Sequence, residues 1–260
     1  MSIFSRATFA LAVGLVLGVA RQTANADTIF SDGTFNNADW NNTKILDTAV
    51  NASFSAFQVA TGGNPGSFQE TNQSLNQGWI VVSHLNSGFI YDPSVQGAIT
   101  SIDFRSDLIE FSPLFGIEVG YGALLFQDGT YYVAGNDNLN QAVWTTFTLS
   151  GLTASDFGNT AGGIYELPGP GPANPNFSST GGPIDFGFFS LNTPVGGPFN
   201  TSSGIDNLVI TLHTAPATVP EPSYVALLSI SLAGFLARSF RSSRRANRSL
   251  ALNGPFARRH

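Results

Sequence analysis

The chain has 260 residues, no cysteine, and 17 Asp and Glu against 11 Lys and Arg, for a formal net charge of −6. Without cysteine there are no disulfide staples, thiolate zinc sites or Cys nucleophiles. The cations crowd at the ends: between residues 27 and 217 only Lys44 and Arg105 stand against sixteen acids, a net charge of −14, which excludes a nucleic-acid or anionic-membrane surface because either needs clustered cations.

Residues 7–20 are almost all apolar, follow Arg6, and give way to Ala24-Asn25-Ala26, the small-x-small pattern that a signal peptidase reads, with cleavage before Asp27. The run falls short of the roughly 20 residues of a spanning helix, and Gly14 and Gly18 weaken it further. Residues 1–26 are therefore predicted to be a short signal-peptide helix.

Residues 27–217 form the body, long enough to bury roughly 70% of the surface of its unfolded chain. Helical heptads are absent, and short apolar alternations recur between turn signals, the pattern of an all-β antiparallel sandwich. Strands are predicted at 79–85, 99–104, 123–126, 131–133, 143–149, 184–189 and 205–213, with Asp128-Gly129 as a hairpin turn. In 143–149 the residues Val143, Thr145, Phe147 and Leu149 share one face and Trp144, Thr146 and Thr148 the other. Alternation points Phe104, Phe147, Phe186 and Leu208 into one shared core. Residues 158–183, with Pro168, Pro170, Pro172 and Pro175, break the rhythm and are expected to be a mobile surface excursion, the alternative being a functional loop.

Catalytic constellations are scarce. His84, His213 and His260 have no metal-ligand spacing, and neither a Gly-x-Ser-x-Gly nor a phosphate-binding loop occurs. Asp103, Asp107, Glu110 and Glu118 lie close in sequence and supply the only carboxylate pairing for glycoside hydrolysis, but such acids are more often a solvated strand face or loop caps. The chain is not expected to be an enzyme. Binding fits better: Trp40, Trp79 and Trp144, with Tyr91, Tyr121, Tyr131 and Tyr132, offer flat faces for stacking on sugar rings, with one tryptophan expected to be exposed.

The phrases Asp32-Gly33-Thr34-Phe35 with Trp40, Gly62-Gly63-Asn64-Pro65-Gly66, Gln127-Asp128-Gly129-Thr130-Tyr131-Tyr132, Trp144 and Gly204-Ile205-Asp206-Asn207-Leu208 follow in an order that resembles PEP-CTERM proteins with lectin-like or carbohydrate-binding-module-like jelly rolls. The resemblance implies a jelly-roll-like sandwich without naming a ligand. It also implies a structural calcium pinning the N-terminal segment to the last strand, with Asp32 and Asp206 as its oxygen ligands; the alternative is that Asp206 is a strand-end turn residue. No other cofactor is expected.

The end of the chain reads Val219-Pro220-Glu221-Pro222-Ser223, then an apolar run over 224–237, then Arg238, Arg241, Arg244, Arg245 and Arg248. This order resembles the PEP-CTERM sorting signal over residues 218–248, with 249–260 as a C-terminal extension that the family usually lacks. The resemblance implies a transmembrane helix and an exosortase-like membrane enzyme that cuts near the triplet. It also implies an inner-membrane anchor before processing and a cell-surface or extracellular destination afterwards. Pro220 and Pro222 keep the junction extended, and the arginines hold the tail inside. The run is fourteen residues, about 21 Å of helix, short for a span. The function expected is that of an exported surface or extracellular-matrix protein of structural or adhesive type. The alternative is a carbohydrate-binding module recognising an exopolysaccharide, and a glycoside hydrolase comes third.

Overall fold

Period-two alternation needs one buried face per strand, and two sheets facing each other supply it. A computed structural model describes residues 27–49, 51–112, 117–139, 141–161, 165–194 and 199–215. The chain divides into two units, Met1–Pro216 and Ala217–His260, and all the described residues belong to the first. Ala24, Ala26, the Val219–Ser223 motif, the run over 224–237 and the arginines from Arg238 to Arg248 lie outside them. Among the described residues no helix is long and apolar enough to cross a membrane.

The strands are β1 (Thr28–Asp32), β2 (Trp40–Asp47), β3 (Ser53–Gly63), β4 (Gly66–Leu75), β5 (Ile80–Tyr91), β6 (Ile99–Glu110), β7 (Ile117–Gln127), β8 (Thr130–Leu139), β9 (Thr145–Leu152), β10 (Thr160–Ala161), β11 (Tyr165–Glu166), β12 (Ile184–Pro194) and β13 (Phe199–Thr214). A four-residue helix, α1 (Pro93–Gln96), links β5 to β6. A front sheet runs β3-β4-β13-β6-β9 with β1 also paired to β13, and a back sheet runs β2-β5-β12-β7-β8. Both are antiparallel throughout. All seven predicted strands are present, several of them longer than predicted, and the prediction missed β1 to β4 and the short β10 and β11. Asp128 and Gly129, with φ of 50° and 80°, make the tight β7–β8 turn, a left-handed conformation that Asp tolerates and Gly favours.

Phe104, Phe186 and Leu208 are fully buried between the sheets, and Phe147 is half-buried against the same core. One part of the interior is aromatic: Phe35 stacks on Trp40, and Phe188 packs against both. Another is a polar seam. There Gln69, Thr71 and Gln73 of β4 and Thr201 and Ser203 of β13 are buried, as are Ser190 and Asn192 of β12 and His84 of β5. Its bonds cross from sheet to sheet. Gln73 donates to Ser190 Oγ at 3.3 Å, Asn192 donates to Thr201 Oγ1 at 3.0 Å, and Tyr121 and Ser203 share a hydroxyl bond of 2.9 Å. Burial pushes the Tyr121 phenol up to about 12.

The proline-rich segment is pinned rather than a free excursion. Phe157, Leu167 and Phe177 are buried, and Gln127 donates to the carbonyls of Asn176 and Gly182 at 3.0 Å each while accepting from Asn176 N–H at 2.7 Å. Gly171 N–H donates to Thr130 Oγ1 at 2.8 Å. Buried Phe and Leu side chains anchor what its prolines alone would leave loose.

Candidate functional site

Directly opposed residues of antiparallel strands share a face, so the register defines what the outer side of the front sheet presents. Ser53, Ser74 and Asn200 lie side by side; Ser55, Asn72 and Ser202 form the next row; Phe57, Glu70 and Gly204 the third. A groove of about 350 Å³ lies at the first two rows, lined by Ser53, Ser55, Asn72, Ser74 and Asn200 together with Phe54, Gln73 and Thr201. Hydroxyls and amides of this kind both donate and accept hydrogen bonds.

At the third row the face turns aromatic. Gly204 leaves the floor bare, and a Cβ there would lie 2.9 Å from the Phe68 ring and 3.0 Å from Ile109, so glycine is what lets Phe68 lie down over β13. Trp144, just before β9, meets Phe68 edge-on with centroids 5.3 Å apart, and Phe111 closes the group at 5.6 Å from Phe68 and 6.5 Å from Trp144. The Trp144 indole N–H donates to the Gly62 carbonyl of the β3–β4 hairpin at 3.0 Å, which fixes the ring's orientation. Phe57 at 38% and Phe111 at 47% exposure carry this apolar shelf to solvent, over the buried Phe68. Isolated exposed apolar residues are ordinary; here they are grouped on the sheet face that also carries the groove.

Glu70 stands between the groove and the shelf. Its Oε1 accepts from Asn72 Nδ2 at 3.1 Å and Ser202 Oγ at 2.9 Å. Ser112 donates to Glu110 Oε1 at 3.2 Å, and burial raises the Glu110 carboxyl above its usual range despite that bond.

The other tryptophans sit elsewhere. Trp40 is 6% exposed, sandwiched by Phe35 and Phe188, and donates to Asp32 Oδ2 at 2.8 Å; its ring is core, with no face for a sugar. Trp79 is half-buried against the cluster of Val81, Leu124, Phe189 and Leu191 on the outer side of the back sheet. Tyr91, Tyr121 and Tyr132 are buried, and Tyr131 is half-buried on Phe126.

Asp32 and Asp206 come close enough for the Asp32 charge to act on Asp206. Asp32 Oδ1 accepts from the Thr34 and Phe35 N–H groups at 2.7 and 2.9 Å, and its Oδ2 is taken by Trp40. Burial works against ionisation of Asp32, but these bonds hold its carboxyl below the usual range. Asp206 accepts from the backbone N–H of Asn64 and of Asn207, and Asp107 accepts from Thr146 Oγ1 at 2.6 Å and Asn207 Nδ2 at 2.8 Å. Burial, with help from Asp107 and Asp32, raises the Asp206 carboxyl. Calcium wants six to eight free oxygens around one point. Among the described residues no three His, Asp or Glu side chains converge so, and chain donors already engage these carboxylates. Together these bonds lock the β3–β4 turn to β13 and β6.

The carboxylates weighed for hydrolysis do not pair. Asp103 binds His213 at 3.0 Å, Asp107 belongs to the turn lock, Glu110 is buried, and the Glu118 side chain lies outside the described residues. A Ser190–His84–Asn42 line does exist: His84 Nε2 is 2.9 Å from Ser190 Oγ, and His84 Nδ1 is 2.7 Å from Asn42 Oδ1. It has a nucleophile's spacing, yet Ser190 and His84 are fully buried between the sheets, and burial drives the imidazole down to about 3, so it neither meets a substrate nor acts as a base near neutrality.

No protein-family model and no curated protein matches the chain. Among solved structures it is similar to the CBM22-1 xylan-binding domain of Paenibacillus barcinonensis Xyn10C, at 11% identity and TM-score 0.35 over 74% of this chain and 99% of that one. It is similar also to the mannan-recognising carbohydrate-binding module TmCBM27, at 11% identity and TM-score 0.39 over 73% and 99%. The CBM22-1–GH10 modules of a Clostridium thermocellum xylanase, complexed with xylohexaose, align at 13% identity and TM-score 0.35 over 68% of this chain but 27% of that one.

Proposed function

We propose that the body is a non-catalytic polysaccharide-binding module, and that the outer face of the front sheet is where the polymer lies. One observation carries this reading: a groove bearing Ser and Asn side chains lies on the same sheet face as the apolar shelf of Phe57, Phe111 and Trp144, which is backed by the buried Phe68. Sugar rings have apolar faces and hydroxyl edges, and aromatic surface beside Ser and Asn side chains matches both. A protein-binding patch would gain little from two rows of short polar side chains. Binding of soluble xylan, mannan and bacterial exopolysaccharide by the purified chain, lost in a Trp144→Ala variant, is the test.

On this reading the protein is an adhesive component of the cell surface or extracellular matrix, held there through the polymer. Export rests on the Ala24-Asn25-Ala26 segment, and sorting by an exosortase-like enzyme rests on the Val219–Ser223 motif with the arginines from Arg238 to Arg248. Deleting residues 220–248 is expected to send the protein into the medium of the source cell with its polysaccharide binding intact. Retention equal to that of the full chain would remove the sorting proposal and leave the binding one standing.

A further inference from the structure

The charge of the groove narrows its ligand. Glu70 is half-buried in the third row, directly opposite Phe57 on one side and Gly204 on the other, between the polar floor and the aromatic shelf. Its Oε1 is taken by Asn72 and Ser202, while its Oε2 receives no bond among the described residues. The two described cations are not at hand. Lys44 is paired with Asp47 on the back sheet, and Arg105 is four residues from Ile109 along β6, about 13 Å at strand rise. The body carries sixteen acids against two cations, so a polyanionic glycan is repelled both locally and at long range.

We propose that this groove takes a polymer of amino sugars, with an unacetylated amino group seated on Glu70 as an ammonium ion. The inference rests on the polysaccharide reading above. A carboxylate with an open oxygen beside an aromatic shelf suits an ammonium on a flat ring, because a charge-assisted bond to Glu70 adds to ring stacking on Phe57 or Trp144. Neutral hexose polymers gain the stacking alone, and polymers of uronic acids lose on charge.

The experiment compares three probes on the purified full chain by calorimetry: a glucosamine hexamer, its fully N-acetylated counterpart and a polyuronate. The glucosamine hexamer is expected to bind about tenfold more tightly than the acetylated one, an advantage that shrinks as salt rises, while the polyuronate does not bind. Glu70→Gln should erase the preference, bringing the two hexamers to equal affinity; Glu70→Asp, which keeps the charge, should retain part of it. Equal affinity for the two hexamers, or a preference that survives Glu70→Gln, overturns the proposal. If the acetylated hexamer binds and Trp144→Ala abolishes that, the polysaccharide reading stands without this one. If neither the hexamers nor neutral polysaccharides bind, both fall.

Discussion

His84 of β5 and Ser190 of β12 share a buried hydrogen bond of 2.9 Å in which the imidazole is held neutral. With Asn42 presenting its oxygen to Nδ1, His84 carries its proton there and accepts the Ser190 hydroxyl at Nε2 across 2.9 Å. Its ring stacks on Phe188 at 4.3 Å, so a charged imidazolium has neither water nor a counter-charge. The folded pKa is about 3 against 6.5 for the free group, so the unfolded chain binds more protons between those values. Stability should therefore fall as pH drops below 6.5, by at most about 1.4 kcal/mol per pH unit, and His84→Gln should remove that slope. The buried Asp206 carboxyl, raised in the fold, contributes a slope of opposite sign at lower pH, so the difference between the two proteins from pH 6 to 5 is what urea titration should read. Parallel profiles would show that His84 is not buried neutral.

The second body histidine has the opposite sign. His213 lies between Asp103 at 3.0 Å and Asp27 at 3.2 Å, clasping the start of β1 to β13 and β6, and the Asp103 bond raises its pKa above 6.5. A raised folded pKa means that the clasp contributes fully below pH 6.5 and is lost as pH climbs through the folded value. Amide exchange at Thr28 and Ile29 should accelerate between pH 6 and 9 beyond the intrinsic rate, and His213→Gln should exchange fast at both. Protection unchanged across that range would show that Asp27 is not held by charge.

Gln69 tests the polar seam. Among the described residues both of its side-chain amide atoms are buried without a partner, as are Gln73 Oε1, Ser106 Oγ and Asn192 Oδ1. An unmet buried polar group costs about 1–3 kcal/mol, so Gln69→Met, which keeps the shape, should raise stability by about 1–2 kcal/mol. A loss of stability would mean that bound solvent satisfies the amide.

This seam also explains what could be read from the sequence. Strand β9 was legible because its inward Phe147 and Leu149 alternate with outward Thr146 and Thr148, and Trp144 falls on the outward side. Strand β4 was not: Gln69, Thr71 and Gln73 point inward and Glu70, Asn72 and Ser74 outward, so its hydropathy does not alternate although its burial does. The Gly62–Gly66 phrase, read only as a family motif, is the β3–β4 hairpin, and taken as a turn it would have revealed both strands. The site was half legible for the same reason. Trp144 was among the candidates, but Phe68 and Glu70 sit on the unseen strand, and Gly204 joins them through a pairing over 130 residues apart, which local pattern cannot show.

The carboxylates around Asp206 make a prediction about metal. Because chain donors hold Asp32, Asp107 and Asp206, adding EDTA should leave Tm unchanged within about 1 °C. A fall of several degrees, restored by calcium and absent in Asp107→Asn, would show that a cation enters between Asp107 and Asp206.

The central claim is that the aromatic shelf and groove of the front sheet bind polysaccharide. Calorimetry of the full chain against its best-binding soluble polysaccharide, repeated with Trp144→Ala and with Trp40 left intact as the core reference, tests it most directly. The shelf ring should be worth about 2 kcal/mol, a loss of roughly thirtyfold in affinity; because Trp144 is half-buried against Phe68 and Phe111, the comparison is made at a temperature where both proteins are folded. Undiminished binding by the Trp144→Ala protein, or no saturable binding to any polysaccharide by the unaltered chain, would contradict it.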